Sequence, residues 1–362
     1  MKKILALLLI ISLLAACAQP AEEPAPVYTE PTVEETPSAE PERLRVITTI
    51  FPQYDFIRQI AGDKVALSML ISPGAEAHSF EPTPQDMIAM QAADLFVYVG
   101  GHSETWVETL LRAEETDTRT LVALLDLIDE PLTEEHSHDH GHDHDHSHNH
   151  DHDHSHDHDH DHDHDHDHDH DHNHDHNHSH NHDHDRHHYD EHVWTSPINA
   201  IQIVHALAEV LADLDPANAD YFRTNAVDYI RQLEALDDAI RTVVEEGVRS
   251  TIVFGDRFPF RYLAVHYGLT YLAAFPGCSI ETQASPQTIA RLIEQVREDS
   301  IPVIFYIEFS NGLIADVLVE ATDAQRLELH SAHNLTNDDF LAGVTYLDLM
   351  WQNVAHLRQA LS

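Results

Sequence analysis

Apolar positions along this chain recur with two periods, and the switch between them lays out the elements. Residues 44–50, Leu-Arg-Val-Ile-Thr-Thr-Ile, form an apolar run of strand length. Pro52 opens a helix expected through Ile60, and Gly62 ends it. A second strand is expected over 65–71. Thr83, with Pro84 after it and Asp86 three residues on, has the spacing of a capped helix start, so a helix follows to about Ala92. Residues 94–99 read as a third strand, ending at Gly100-Gly101, and 103–112 as another helix. Ser196-Pro197 is expected to cap an amphipathic helix reaching Leu214. The stretch 219–246 then keeps apolar residues at Tyr221, Phe222, Val227, Tyr229, Ile230, Leu233, Leu236, Ile240 and Val243 with few breakers. Strand and helix alternate again beyond it, with strands at 251–254, 269–275 and 302–307. Helices are expected at 260–267, 285–297, 314–321 and 345–361. Such alternation predicts parallel sheets covered on both faces. The fold class is therefore α/β: two lobes, 44–217 and 248–362, joined by one long linker helix over 218–247, about 40 Å in length.

The stretch 136–188 breaks this pattern. Between 136 and 188 lie 27 of the 35 histidines and sixteen aspartates, in near-strict alternation. With no apolar residue to bury, the segment cannot offset the entropy of ordering its backbone, and it reads as a disordered, solvated loop. Neutral imidazole is the commonest metal ligand, so the loop is expected to gather metal weakly at many sites. The formal charge is −45, and removing 136–188, with its sixteen aspartates and Arg186, still leaves about −30. A body that acidic raises the local concentration of cations and does not track along nucleic acid.

Two cysteines, Cys17 and Cys278, exclude a cysteine-built zinc cluster. Lys2-Lys3 and the apolar run 4–14 lead to Leu14-Ala15-Ala16-Cys17, which resembles the bacterial lipoprotein signal. That resemblance implies a signal peptide over 1–16, lipidation of Cys17 and anchorage to the outer side of the cytoplasmic membrane. Residues 17–43, rich in Pro, Glu, Ala and Thr, read as a flexible tether.

Eight histidines fall outside the loop. His205, His266 and His356 sit within helical patterns and read as structural or surface groups. His102 follows Gly100-Gly101 at a strand end, and Glu308 ends a strand where it could line a cleft. His78 lies between a strand and a helix start, and His192 just before a helix, where open α/β sheets bind ligands.

The stretch 74–84, Gly-Ala-Glu-Ala-His-Ser-Phe-Glu-Pro-Thr-Pro, resembles the first metal-ligand motif of the zinc/manganese solute-binding proteins that feed ABC importers. Asp190-Glu-His192-Val-Trp-Thr-Ser-Pro197 is similar to the second, and the histidine tract lies where zinc members carry a histidine-rich loop. Tyr346-Leu-Asp-Leu-Met350 with Asn353 also matches. The resemblance implies a metal held between the lobes, with His78 and His192 as ligands from the first. Its third ligand is expected after the strand 251–254, where Asp256 is the nearest acceptable donor. The fourth is expected at His333, with His330 in reserve. Three imidazoles and a carboxylate suit Zn(II), with Mn(II) the alternative. The implied role is high-affinity zinc capture and delivery to an ABC permease and its ATPase, the histidine loop serving as an auxiliary collector. A surface zinc store or adhesin is the competing reading. No catalytic signature such as His-Glu-x-x-His occurs, so an enzyme is not expected.

Overall fold

The computed structural model describes residues 43–76, 80–107, 109, 119–133, 189–275 and 284–362. Cys17 with its signal and tether, His78, the tract 136–188 and Cys278 lie outside the described residues.

Two four-stranded parallel sheets repeat one topology. The first comprises β1 (Leu44–Thr48), β2 (Val65–Met69), β3 (Leu95–Tyr98) and β4 (Thr120–Ala123), in the order β2-β1-β3-β4. The second comprises β5 (Thr251–Phe254), β6 (Thr270–Ala273), β7 (Val303–Tyr306) and β8 (Gln325–Glu328), in the order β6-β5-β7-β8. Each central strand is apolar on both faces. In the first sheet Val46 and Val97 face the main core while Ile47 and Phe96 pack on the opposite side. In the second, Phe254 and Phe305 face the main core, and Val253 and Ile304 face the helices behind. This is why the central strands read as unbroken apolar runs.

The helices follow the punctuation of the sequence. Helix α1 (Phe51–Ala61) ends at Gly62, whose φ is 54°. Thr83 and Asp86 close a reciprocal cap on α2 (Pro84–Gln91), as their spacing leads one to expect. Beyond β3 a 3-10 turn, His102–Glu104, begins the helical stretch expected at 103–112, whose end lies outside the described residues.

Helix α3 (Pro197–Leu214) starts at Ser196, but the serine side chain does not cap it. Its Oγ bonds instead to His266 Nδ1 at 2.6 Å. Helix α4 (Ala219–Glu246), 28 residues and about 42 Å long, is the long linker. It packs on α1 and α3, and also on two helices of the second half, α5 (Arg261–Tyr267) and the last helix. Then follow α6 (Pro286–Glu298), α7 (Leu313–Glu320), α8 (Asn337–Ala342) and α9 (Tyr346–Leu361). One apolar cluster runs from Val46 and Phe56 through Leu207 and Leu236 to Phe254 and Met350, so both sheets share a core.

β4, β8 and α8 are additions to the elements expected from the sequence. The ends of the histidine tract are also placed. Thr133 and Tyr189 form an antiparallel bridge, and Asp190 N donates to Leu132 O at 2.7 Å. The Tyr262 hydroxyl accepts from Leu132 N and donates to Asp190 O, at 3.0 and 2.9 Å. The described residues that flank the tract therefore meet at one point, three residues before His192.

Candidate metal centre

In each sheet the order reverses between its two central strands, and chains leaving their carboxyl ends diverge to leave a crevice. Asp256 follows β5 and Glu308 follows β7, on either side of the second sheet's reversal. The loop 329–336 follows β8 and carries His330 and His333. From the first half, the chain after β2 runs through Gly74 and Glu76 towards the position of His78, and His192 enters just before α3.

His192 is 2% exposed. Asp190 Oδ1 accepts its backbone N–H at 2.9 Å and lies 3.0 Å from ring Nδ1. A carboxylate only accepts, so in the neutral ring Nδ1 carries the proton and Nε2 presents its lone pair. The neighbouring Glu191 faces the other way, accepting from Ser103 N at 2.7 Å and from the Ser103 hydroxyl. Gly101 allows that approach, since a Cβ there would stand 2.2 Å from Glu191 Cγ.

His333 is half-buried, and its ring lies 5.7 Å from that of His192, nearly perpendicular to it. Trp194 packs against both, 5.5 Å from His192 and 5.1 Å from His333. The indole N–H donates to Ser331 O at 2.8 Å, tying the two loops together. Asn334, 3% exposed, adds a second tie: its amide donates to Ser72 O and Ala75 O, both at 2.9 Å. Gly74 N also donates to Leu335 O at 2.8 Å. The chain leading to His78 is thus held by the loop that carries His333.

Asp256 is buried at the end of β5. Its Oδ1 accepts from Arg257 N at 2.8 Å, while Oδ2 is buried with no hydrogen-bond partner. The Arg257 guanidinium reaches Glu76 at 3.8 Å instead. A buried carboxylate oxygen without a donor is costly, and a cation or a hydrogen-bond donor offsets that cost. Gly255 beside it is dictated by packing, as a Cβ would meet the Ala315 backbone at 2.4 Å.

A small cleft is lined by Glu76, Arg257, Glu308, Phe309, His333 and Asn334, groups from both halves. Of the residues expected to bind metal, the structure brings His192 and His333 together and sets Asp256 in the loop beside the same cleft. Among the described residues no three His, Cys, Asp or Glu side chains converge as a complete metal site.

His330, the reserve candidate, is turned into the protein: Asn353 holds its backbone N–H and C=O at 2.8 and 2.7 Å, and its Nδ1 accepts from Ala332 N at 3.0 Å. His356 Nδ1 lies 2.6 Å from Glu328 O, and His205 and His102 are exposed. Burial pushes the His266 ring below the usual histidine range. The supporting residues Ser331 and Asn334 carried no signal in the sequence, because their partners lie far along the chain.

Two parallel-sheet lobes with imidazoles from both at the facing strand ends define a two-lobed α/β solute-binding protein. The chain belongs to the family described as zinc-uptake complex component A, periplasmic, whose model matches residues 46–360. Members of this family are solute-binding proteins, not enzymes. Among curated proteins the chain is similar to the zinc-binding lipoprotein AdcA of Streptococcus pneumoniae, at 30% identity over 88% of this chain and 56% of that one. It therefore spans about half the length of that relative. It is also similar to the high-affinity zinc uptake system protein ZnuA of Bacillus subtilis, at 30% identity over 88% of each. Among solved structures, the Zn(II)-bound ZnuA-like domain of Streptococcus pneumoniae AdcA superposes with a TM-score of 0.65 at 26% identity, covering 88% of this chain and 99% of that one. The metal-dependent lipoprotein YcdH of Bacillus subtilis gives 0.66 at 27%, again over 88% and 99%.

Proposed function

We propose that this chain captures a zinc ion outside the cytoplasm and delivers it to an ABC-type permease and its ATPase. The observation that carries the reading is the meeting of His192 and His333, 5.7 Å between ring centroids, from loops of the two halves. His78 and Asp256 complete the set in this reading, one ligand at the end of the tied segment 72–76 and one with its orphaned Oδ2. Three imidazoles and one carboxylate match zinc's preference for nitrogen donors in a tetrahedral site better than manganese's preference for oxygen. The relatives' names, zinc-binding lipoprotein and zinc uptake protein, point the same way. The lobes divide at 217 and 248, with the linker helix between them. Acyl chains on Cys17 anchor the protein to the membrane, and the tract 136–188 collects metal beside the site.

Zinc titration against a chromophoric chelator tests the assignment, in the parent and in a variant lacking 136–188. The bridge between Thr133 and Tyr189 lets the cut ends close without disturbing the body. One tight site is expected to survive the deletion while the stoichiometry falls to near one. Loose sites alone, lost together with the tract, would overturn the transport reading and favour storage. An unchanged stoichiometry would remove the tract's collecting role.

A further inference from the structure

We infer that Glu308 is a positioning residue of the metal site, whose carboxylate builds the turn that aims His333 at His192 without itself binding the ion. The inference rests on the reading of His333 as a ligand. Glu308 is 8% exposed and lies two residues past the end of β7, beside the strand β8 that feeds the 329–336 loop. Its Oε2 accepts from Ser331 N at 2.7 Å, and its Oε1 accepts the Ser331 hydroxyl proton. Both carboxylate oxygens are therefore engaged. The serine oxygen, its proton committed to Glu308, keeps a lone pair for the His333 backbone N–H at 3.3 Å.

Ala332, between the two, is held at φ 59°. A non-glycine residue occupies that left-handed region only where its surroundings impose it. The same serine's carbonyl takes the Trp194 indole N–H, and that ring packs against both imidazoles. One buried carboxylate thus fixes the peptide that locates His333 and the tryptophan that spaces it from His192. His330 Nδ1 stands 3.8 Å from Glu308 Oε2, too far to compete with the serine.

The test uses the full chain with one equivalent of zinc, competed against a chelator tight enough to empty the loose sites. Glu308→Ala is expected to weaken the tight site roughly 10–100-fold, the range for losing an outer partner of a ligand. Glu308→Gln keeps an acceptor for Ser331 N and a polar contact to the hydroxyl, so it stays near the parent, with an unchanged cobalt(II) absorption spectrum. Ser331→Ala, which keeps Glu308, weakens binding as well. Because Glu308 acts through His333, the double variant Glu308→Ala/His333→Ala binds no more weakly than His333→Ala alone.

Parent-like affinity in Glu308→Ala overturns the inference. So do losses that multiply in the double variant, or a Glu308→Gln that is as weak as Ala with an altered cobalt spectrum, which marks a direct ligand. If Glu308→Ala does not fold, the Gln and Ser331→Ala arms decide. If His333→Ala leaves affinity unchanged, the site reading falls and this inference with it.

Discussion

Asp190 determines which nitrogen of His192 carries the proton. By accepting at Nδ1 it leaves Nε2 unprotonated and fixes the ring plane, which lowers the cost of ordering the ligand when metal arrives. In the proposed site, removing an imidazole takes away a metal bond, and removing Asp190 only loosens one. In a background lacking 136–188, His78→Ala, His192→Ala and His333→Ala are each expected to weaken zinc affinity by more than the roughly 10–100-fold expected for Asp190→Ala. His266→Ala, whose ring serves Ser196, should leave it unchanged. Competition titrations rank the five variants, and parent-like binding by the His192 and His333 variants would remove the site from this cleft. The segment around His192 stood out in the sequence because its neighbours form a contiguous motif. Asn334 was not, since its carboxamide bonds to carbonyls more than 250 positions earlier.

At the scale of elements, what the sequence showed depended on burial. Strands β1, β3, β5 and β7 lie centrally, are covered on both faces, and stand out as apolar runs. β4 and β8 are the outer strands of their sheets. β8, Gln-Arg-Leu-Glu, is mostly polar because an edge strand is only partly covered. β4 runs into the buried Leu124 and Leu125 with no turn residue to mark its end.

The 3-10 turn after β3 carries a different cost. Glu104 is buried there, and desolvation pushes its carboxyl up to about 7, against the pull of the Val99 and Gly100 N–H groups and with a further push from Glu191. The native state thus holds this proton more tightly than the unfolded chain, whose ordinary value is 4.5. The resulting stability is complete below about pH 4.5 and is lost as pH rises through about 7, a swing on the order of 3 kcal/mol. Glu104→Gln removes the titrating group. Urea melts of metal-free protein at pH 5 and pH 8 should show a smaller difference for the variant than for the parent. Equal differences would mean that Glu104 titrates normally.

For the molecule as a whole, the shared core matters more than either sheet. Helix α4 spans both halves, and α9 returns from the second half to the first. There Tyr346 N donates to Asp55 at 2.8 Å, and the Tyr346 hydroxyl donates to Trp194 O at 2.6 Å. The halves are thus tied by elements that cross between them. Under the proposed function, delivery to a membrane permease also requires the body to stay near that membrane, the part that the lipoprotein-like signal assigns to Cys17. Cys17→Ser is expected to move the protein from the membrane fraction to the soluble fraction, and mass spectrometry should show an acylated amino terminus only in the parent. An unmodified mature terminus in the parent would remove the anchor.

The single doorway at Thr133 and Tyr189 separates two kinds of inheritance. Closing a longer excursion across a fixed base costs only about 0.6 kcal/mol per doubling of its length, and here the base is already secured by Leu132, Asp190 and Tyr262. Repeats can be gained or lost inside the tract while the register of His192 and the packing beneath it stay the same. The number of histidines can therefore change without re-tuning the cleft on which the proposed function rests.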